Sequence, residues 1–549
     1  MNVTILNPPG AFAETLQQLI ADEIVSRIFA CDHTVWSSRP DEITNRLGWL
    51  RLPQTMPAQI PSLRRFAASL CNEGFAHVVL LGMGGSSLAP DMLARIFPPR
   101  PGALSLEVLD STHPESILRA ARNARSVKTC FLVATKSGTT SETVSLFRYF
   151  YRALTSQGVS DPGRRFAAIT DPGSPLADEA DRVGFRETFL NPPDIGGRYS
   201  ALSLFGLVPA VLLGLDLETW LCTAQDAVRA CSDKGAMQDN PALQLGCYLG
   251  AAALAGCDKA TLLSSRTLAP FGDWIEQLIA ESSGKDGTGI LPVLEPAGTR
   301  ATRYSGDRAF VLISHGNDRD LRSAADALVH AGHPVAWIDV SDSTDLSGQF
   351  FLWEMATAIA CHLLGVHPFD QPNVESAKRL AREAADAARR TGAVPALADR
   401  ALDARDLIAD LADLSQGDYV GVHAYLPASS DLTNALHALQ AAVRDRFGVA
   451  VTVGYGPRFL HSTGQLHKGD AGRGRFVQLV SPDMPSVPIP DGADSDVSSL
   501  SFAGLIVSQA HGDRRALAAA GRPVSTFALT PPYAASLRAV VRDLPSSSG

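Results

Sequence analysis

The sequence predicts an α/β protein built from two doubly wound parallel-sheet lobes followed by a C-terminal α/β segment. Three observations predict it. From about residue 61, short β-leaning runs alternate with amphipathic helical stretches, the pattern of a parallel sheet covered by helices. Small, hydroxyl-rich loops recur directly after those runs, at the strand ends where such sheets bind ligands. At 549 residues the chain is too long for one ordinary core, so two to four units are expected.

Taken in order, residues 1–60 read as an N-terminal helix (11–30, with Leu16, Ile20, Ile24 and Ile28 near helical spacing) and a Pro-punctuated wrap. The first lobe, 61–220, starts with a helix over 62–73. Strands at 77–83, 104–110, 131–133 and 165–171 alternate with helices, and a long helical stretch runs from 201 to about 256. The second lobe, 221–390, carries strands at 259–265, 309–314 and 334–340 and helices at 318–331, 349–364 and 373–390. Residues 391–549 form the C-terminal segment. It has an Ala- and Asp-rich helical stretch over 391–416, strands at 418–426, 449–455, 475–480 and 524–529, helices at 431–446 and 501–519, and a frayed tail.

Composition narrows the function classes. A net charge of −9 argues against a general nucleic-acid binder, although a local nest of donors can still hold a small anion in an acidic protein. The eight cysteines are scattered without a CxxC pair, as expected of buried thiols in a reducing compartment. The N-terminus MNVTILNPPG lacks the basic and apolar regions of a signal peptide, and no apolar run is long enough to span a bilayer. A cytoplasmic protein without membrane or nucleic-acid partners is the expectation.

The loop at 135–140, TKSGTT, lies between a strand and a helix and offers hydroxyls, backbone N–H groups and a positive dipole end. Its bland reading is a helix cap at Thr139 or Thr140. The GGSS turn at 84–87 alone is a tight strand-to-helix turn, but two such loops at neighbouring strand ends favour a phosphate or sugar-phosphate pocket. It is not a Walker A loop, because GxxxxGK[ST] is absent. In GGRYS, Arg198 is either a surface residue or a clamp for a developing oxyanion. In IAESSGKDG, spacing alone favours a solvated helix end with Gly284 following it and Lys285 facing the dipole. LHSTGQLHKG holds His461 and His467, a pattern suited to acid–base chemistry. No Asp, Glu or Cys stands at ligand spacing, so a metal is disfavoured.

Together GMGGSS, TKSGTTSET, GGRYS, ESSGK and FDQPNVESAK, in this order, resemble the glucose-6-phosphate isomerase family, with its sugar-isomerase lobes. DHTVW, NRLGWL, HSTGQLHKG and SFAGLIVSQAHGDRRALAAAGRP look closer still to the isomerase half of bifunctional transaldolase/glucose-6-phosphate isomerases. No transaldolase barrel is expected before DHTVW. The resemblance implies reversible isomerisation of glucose 6-phosphate and fructose 6-phosphate through ring opening and an enediol, with no cofactor and no metal. It implies that Thr135, Lys136, Ser137 and Thr140 hold the phosphate and that Gly84, Gly85 and Ser86 line the sugar side. It makes Glu281 the base between C1 and C2, Arg198 the cation beside the enediolate, Lys378 an aid to ring opening and His461 the ring-opening acid–base.

Two departures bear on the histidine. The family's His block lies between the Glu and the Lys, whereas here it follows Lys378, and His467 rivals His461. HKGDAG also stands where HKGG is expected. Because the family His often comes from a partner subunit, a homodimer is implied. Two other readings compete: a non-catalytic sugar-phosphate sensor, and an isomerase of another sugar phosphate such as mannose 6-phosphate.

Overall fold

The computed structural model describes residues 2–544 apart from 234, 236, 296–303, 392–394 and 399. Its frame is three parallel sheets. The first runs Ser105–Leu109, His77–Gly82, Thr129–Ala134, Phe166–Thr170, Glu187–Leu190, all parallel. After their first residues, His77 and Thr129, its central strands are apolar and buried on both faces, as helix-covered parallel strands must be. The chain order reverses between His77–Gly82 and Thr129–Ala134, and a crevice opens at such a switch point. The loops that follow those two strands are GGSS and TKSGTT.

The second sheet repeats the order in its parallel part: Val335–Val340, Arg308–His315, Lys259–Ser264, Leu291–Leu294. An unexpected strand, Asn2–Asn7, adds antiparallel to its edge along Val335–Val340. The expectation of only helix and wrap over 1–60 is therefore corrected. In NVTILN, Val3 and Ile5 alternate with polar residues and pack on the core, which is strand periodicity. The helix expected over 11–30 is two, Phe12–Ala21 and Ile24–Phe29, broken where Glu23 turns left-handed at φ 52°. The helical stretch after GGRYS is three helices: Leu204–Leu212, Leu217–Ser232 and Pro241–Leu254.

The third sheet has the same order again: Ala450–Tyr455, Tyr419–Tyr425, Gly474–Val480, Val524–Ala528. Of the helix expected over 391–416, the described residues form only Ala404–Asp410. Residues 392–394 and 399 of that stretch lie outside the described residues, and Asp403 caps a new start by accepting from the Arg405 N–H. The tail at 546–549 lies outside the described residues. The C-terminal segment is woven into the rest. The helix Phe502–Ala519 packs along Val374–Thr391, and Val487, Ile489 and Phe502 join Phe131, Phe147 and Phe166 in one apolar cluster. Among the described residues, no helix is long and apolar enough to cross a membrane.

Candidate active site

A cavity of about 680 Å³ opens at the first sheet's switch point, and every residue assigned above to substrate or catalysis lines it. Close backbone contact builds its floor. A Cβ on Gly85 would lie 2.0 Å from the Gly197 carbonyl oxygen, and one on Gly84 would lie 2.7 Å from that of His461. Only glycine lets the first-sheet turn touch both the Arg198 loop and the His461 loop.

At one end stands the donor loop. The Thr135 and Thr140 hydroxyls are 2.8 Å apart, and those of Ser137 and Thr139 are 3.0 Å apart. Thr140 occupies the cap position of the helix Ser141–Ser156, but its side chain makes no capping bond, so the hydroxyl is not consumed by the helix. Lys136 is ion-paired with Asp171 and donates to the Pro193 carbonyl at 2.9 Å. Burial raises the Asp171 carboxyl above its ordinary value, and the Lys136 bond and the Lys136 and Arg46 charges offset only part of that.

At the other end, the helix Ala269–Ser283 carries Glu281 in its last turn, 13% exposed. The bland reading of a solvated helix end is thus replaced by a carboxylate aimed into a cleft. Lys285 is not solvated either. It is buried and paired with Asp370 at 2.7 Å, and burial together with the Arg198 charge pulls it down to about 8 despite that partner. Arg198, 3% exposed, is bound on every side. Nε donates to Ser282 Oγ at 2.9 Å, Nη1 to Gln371 Oε1 at 3.1 Å, and Nη2 to the carbonyls of Pro368 and Asp370. Its Nη1 also stands 3.2 Å from Glu281 Oε1. Gln277 donates to Glu281 Oε2 at 2.9 Å and to the His461 carbonyl at 2.8 Å, tying base and histidine loop together.

His461 ends a short turn, Arg458–His461, at the C-terminal end of the third sheet's edge strand. Its Nε2 is 3.0 Å from Glu142 Oε1, and Glu142 also accepts from Gln509 at 2.7 Å and Ser141 at 2.8 Å. Burial alone would raise the Glu142 carboxyl. The His461 charge and hydrogen bond, its own backbone N–H and Ser141 outweigh it and hold the group near 2. His467 is elsewhere: it is buried among His423, Phe476 and Tyr419, ring centroids 4.9, 4.9 and 6.3 Å away, and burial pushes it well below the ordinary histidine range. Lys378 is at the cleft rim on Val374–Thr391, paired with Glu375 at 2.9 Å. His461 of this same chain lines the cleft.

Sequence reading placed Asp171 at the sheet's ligand-binding edge without giving it a role, and it missed Glu142, Gln277 and Gln371. A signal for Glu142 existed: at i, i+4 and i+8 it is in phase with Leu146 and Phe150, both buried, so it sits on the helix's inner stripe. Gln371 gave none, because its partner Arg198 lies 173 residues away.

Known proteins share this architecture. The family described as Phosphoglucose isomerase matches residues 69–290. That span includes the GGSS and TKSGTT loops, Arg198 and Glu281, but neither Lys378 nor His461. A protein named probable glucose-6-phosphate isomerase from Haloarcula marismortui is 30% identical over 341 residues, 56% of this chain and 77% of that one. The glucose-6-phosphate isomerase of Rubrobacter xylanophilus is 29% identical over 418 residues, 65% of this chain and 92% of its own. Among solved structures, a hypothetical protein from Thermus thermophilus superposes with a TM-score of 0.61 at 25% identity, covering 69% of this chain and 99% of that one.

Proposed function

The chain belongs to the glucose-6-phosphate isomerase family, and from that premise we infer how the cleft interconverts glucose 6-phosphate and fructose 6-phosphate. The sugar phosphate lies with its phosphate on the 135–140 loop and its reacting carbons against Glu281. His461, its imidazole ordered by Glu142, and Lys378 move the protons that open the ring at the C1–O5 end. Glu281 takes the proton from C2 of the aldose and returns it to C1, with an enediolate between. Arg198 already commits its N–H donors to fixed partners. It acts on the enediolate as a charge held in place beforehand, or through the Nη1–H that faces Glu281.

The observation that carries this reading is the single cleft in which a partly buried carboxylate stands 3.2 Å from a buried guanidinium, with a hydroxyl loop at the far end. The test is a coupled glucose 6-phosphate dehydrogenase assay on fructose 6-phosphate. Glu281→Gln is expected to lower kcat by ~10²–10⁴-fold, the contribution of a positioned base, while fructose 6-phosphate still binds. Full turnover in that variant would overturn the assignment. A cytoplasmic location is supported by eight cysteines that are all unpaired. A homodimer is the family expectation, and light scattering of the purified protein tests it.

A further inference from the structure

The blocks DHTVW and NRLGWL take no part in the steps above, yet both are firmly anchored. Trp36 donates to the Ala358 carbonyl at 2.9 Å and lies edge-on to Phe369, ring centroids 5.1 Å apart. Trp49 is fully buried, 5.2 Å from the Tyr199 ring, next to Arg198 in sequence. Between these anchors, His367 Nε2 lies 3.1 Å from the Asp41 carbonyl, Leu47 bridges to Ile195, and the Gly48 N–H donates to the Asp194 carbonyl at 2.9 Å. A Cβ on Gly48 would lie 2.4 Å from Asp194 Oδ1, so a side chain there would have to displace that carboxylate. The segment is thus a strap, and it brings Arg46 into the lining of the cavity. Leu47, the next residue, pairs two positions from Pro193, whose carbonyl accepts from Lys136.

The phosphate end of the cleft is short of free positive charge. A phosphate monoester carries about −1.5 to −2 at neutral pH. The donor loop offers hydroxyls and backbone N–H groups, and its one cation, Lys136, is already matched by Asp171. Arg46 donates through Nη2 to Glu42 at 2.6 Å and through Nη1 to the Asn45 carbonyl at 3.2 Å. A guanidinium has five N–H donors, so others remain. Its partner Glu42 is 46% exposed against 21% for Arg46, so the pair is solvated on the carboxylate side.

We propose that Arg46 is a substrate-binding residue that supplies the phosphate with the cation the Lys136–Asp171 pair withholds, and that the strap over 36–49 exists to hold it there. This rests on the isomerase reading of the cleft. An exposed strap-edge ion pair would instead contribute little to anything.

The experiment compares wild type, Arg46→Met, Arg46→Lys and Arg51→Met. Arg51 lies two residues past the strap and pairs with Asp194 at 3.1 Å, but it is not in the cavity lining. Fructose 6-phosphate kinetics and inhibition by inorganic phosphate are measured on each, with thermal midpoints to verify folding. Loss of a charge-assisted contact is expected to raise both KM and the phosphate inhibition constant about tenfold or more in Arg46→Met, with kcat little changed. Arg46→Lys recovers part of both, and Arg51→Met changes neither. Arg46→Met and Arg46→Lys values within about twofold of wild type, as for a surface pair, would overturn the proposal. So would an equal effect from Arg51→Met, or a KM effect with unchanged phosphate inhibition. Absence of isomerase turnover in the wild type would strike the functional reading instead, and calorimetric titration with phosphate would still decide the role of Arg46.

Discussion

His461 Nε2 lies 3.0 Å from Glu142 Oε1, across 319 residues of chain. The carboxylate belongs to the first sheet's helix and the imidazole to the third sheet's edge. This contact completes the cleft, and it makes a ring-opening role testable. His461→Ala is expected to lower kcat by ~10²–10⁴-fold, and Glu142→Gln by a smaller factor, because an amide orients the ring but cannot balance an imidazolium. Steady-state kinetics with both sugar phosphates measure this. Unchanged kcat in Glu142→Gln would show that the pairing does no catalytic work.

The same contact predicts acid sensitivity. Glu142 is held near 2, below its ordinary 4.5. A carboxyl whose folded value is depressed binds fewer protons folded than unfolded, so it stabilises the fold above the unfolded value and loses that contribution as pH falls toward the folded one. The window is therefore from about 4.5 down to about 2, and the amount at stake is of order 3 kcal/mol. Thermal midpoints across this range should fall more steeply for wild type than for Glu142→Gln. Parallel curves would refute the linkage.

Gly85 and Gly197 make a paired test of the cleft floor. A Cβ at Gly85 meets the Gly197 carbonyl oxygen at 2.0 Å, whereas one at Gly197 meets nothing within 4 Å. Gly85→Ala must push two backbones apart and is expected to cost about 1–3 kcal/mol, as overpacking does, while Gly197→Ala stays well below that. Denaturation midpoints of the two variants give the answer. Equal midpoints would mean that the contact yields freely.

The residues named in the cleft all come from one chain, and dilution tests whether a second copy adds to them. Turnover per chain is expected to stay constant on dilution through whatever dissociation light scattering reveals. A loss of specific activity that tracks dissociation would show that a second copy contributes to the reaction.

Much of the site was legible because its parts are local. TKSGTT and GGSS follow strands, their spacing announces donors at strand ends, and the sheet order places those ends at one crevice. Glu281 was harder. By spacing it belongs to an ordinary helix end, and only the family resemblance gave it a role. The choice of His461 over its rival His467 rested on the family resemblance alone, and the fold separates the two: six residues apart, one lines the cleft and the other is sealed in the third sheet's aromatic cluster.

The sequence by itself determined the alternation of strands and helices, the donor loops and the family, since these follow from periodicity, turn chemistry and motif order within short windows. The tertiary structure alone decided what meets what. Burial of apolar helix faces brings the third sheet against the first, so that Glu142 finds His461, Arg198 finds Glu281, and the strap carries Arg46 into the cleft. Contacts between such distant residues depend on how whole elements pack, and no local pattern along the chain encodes that.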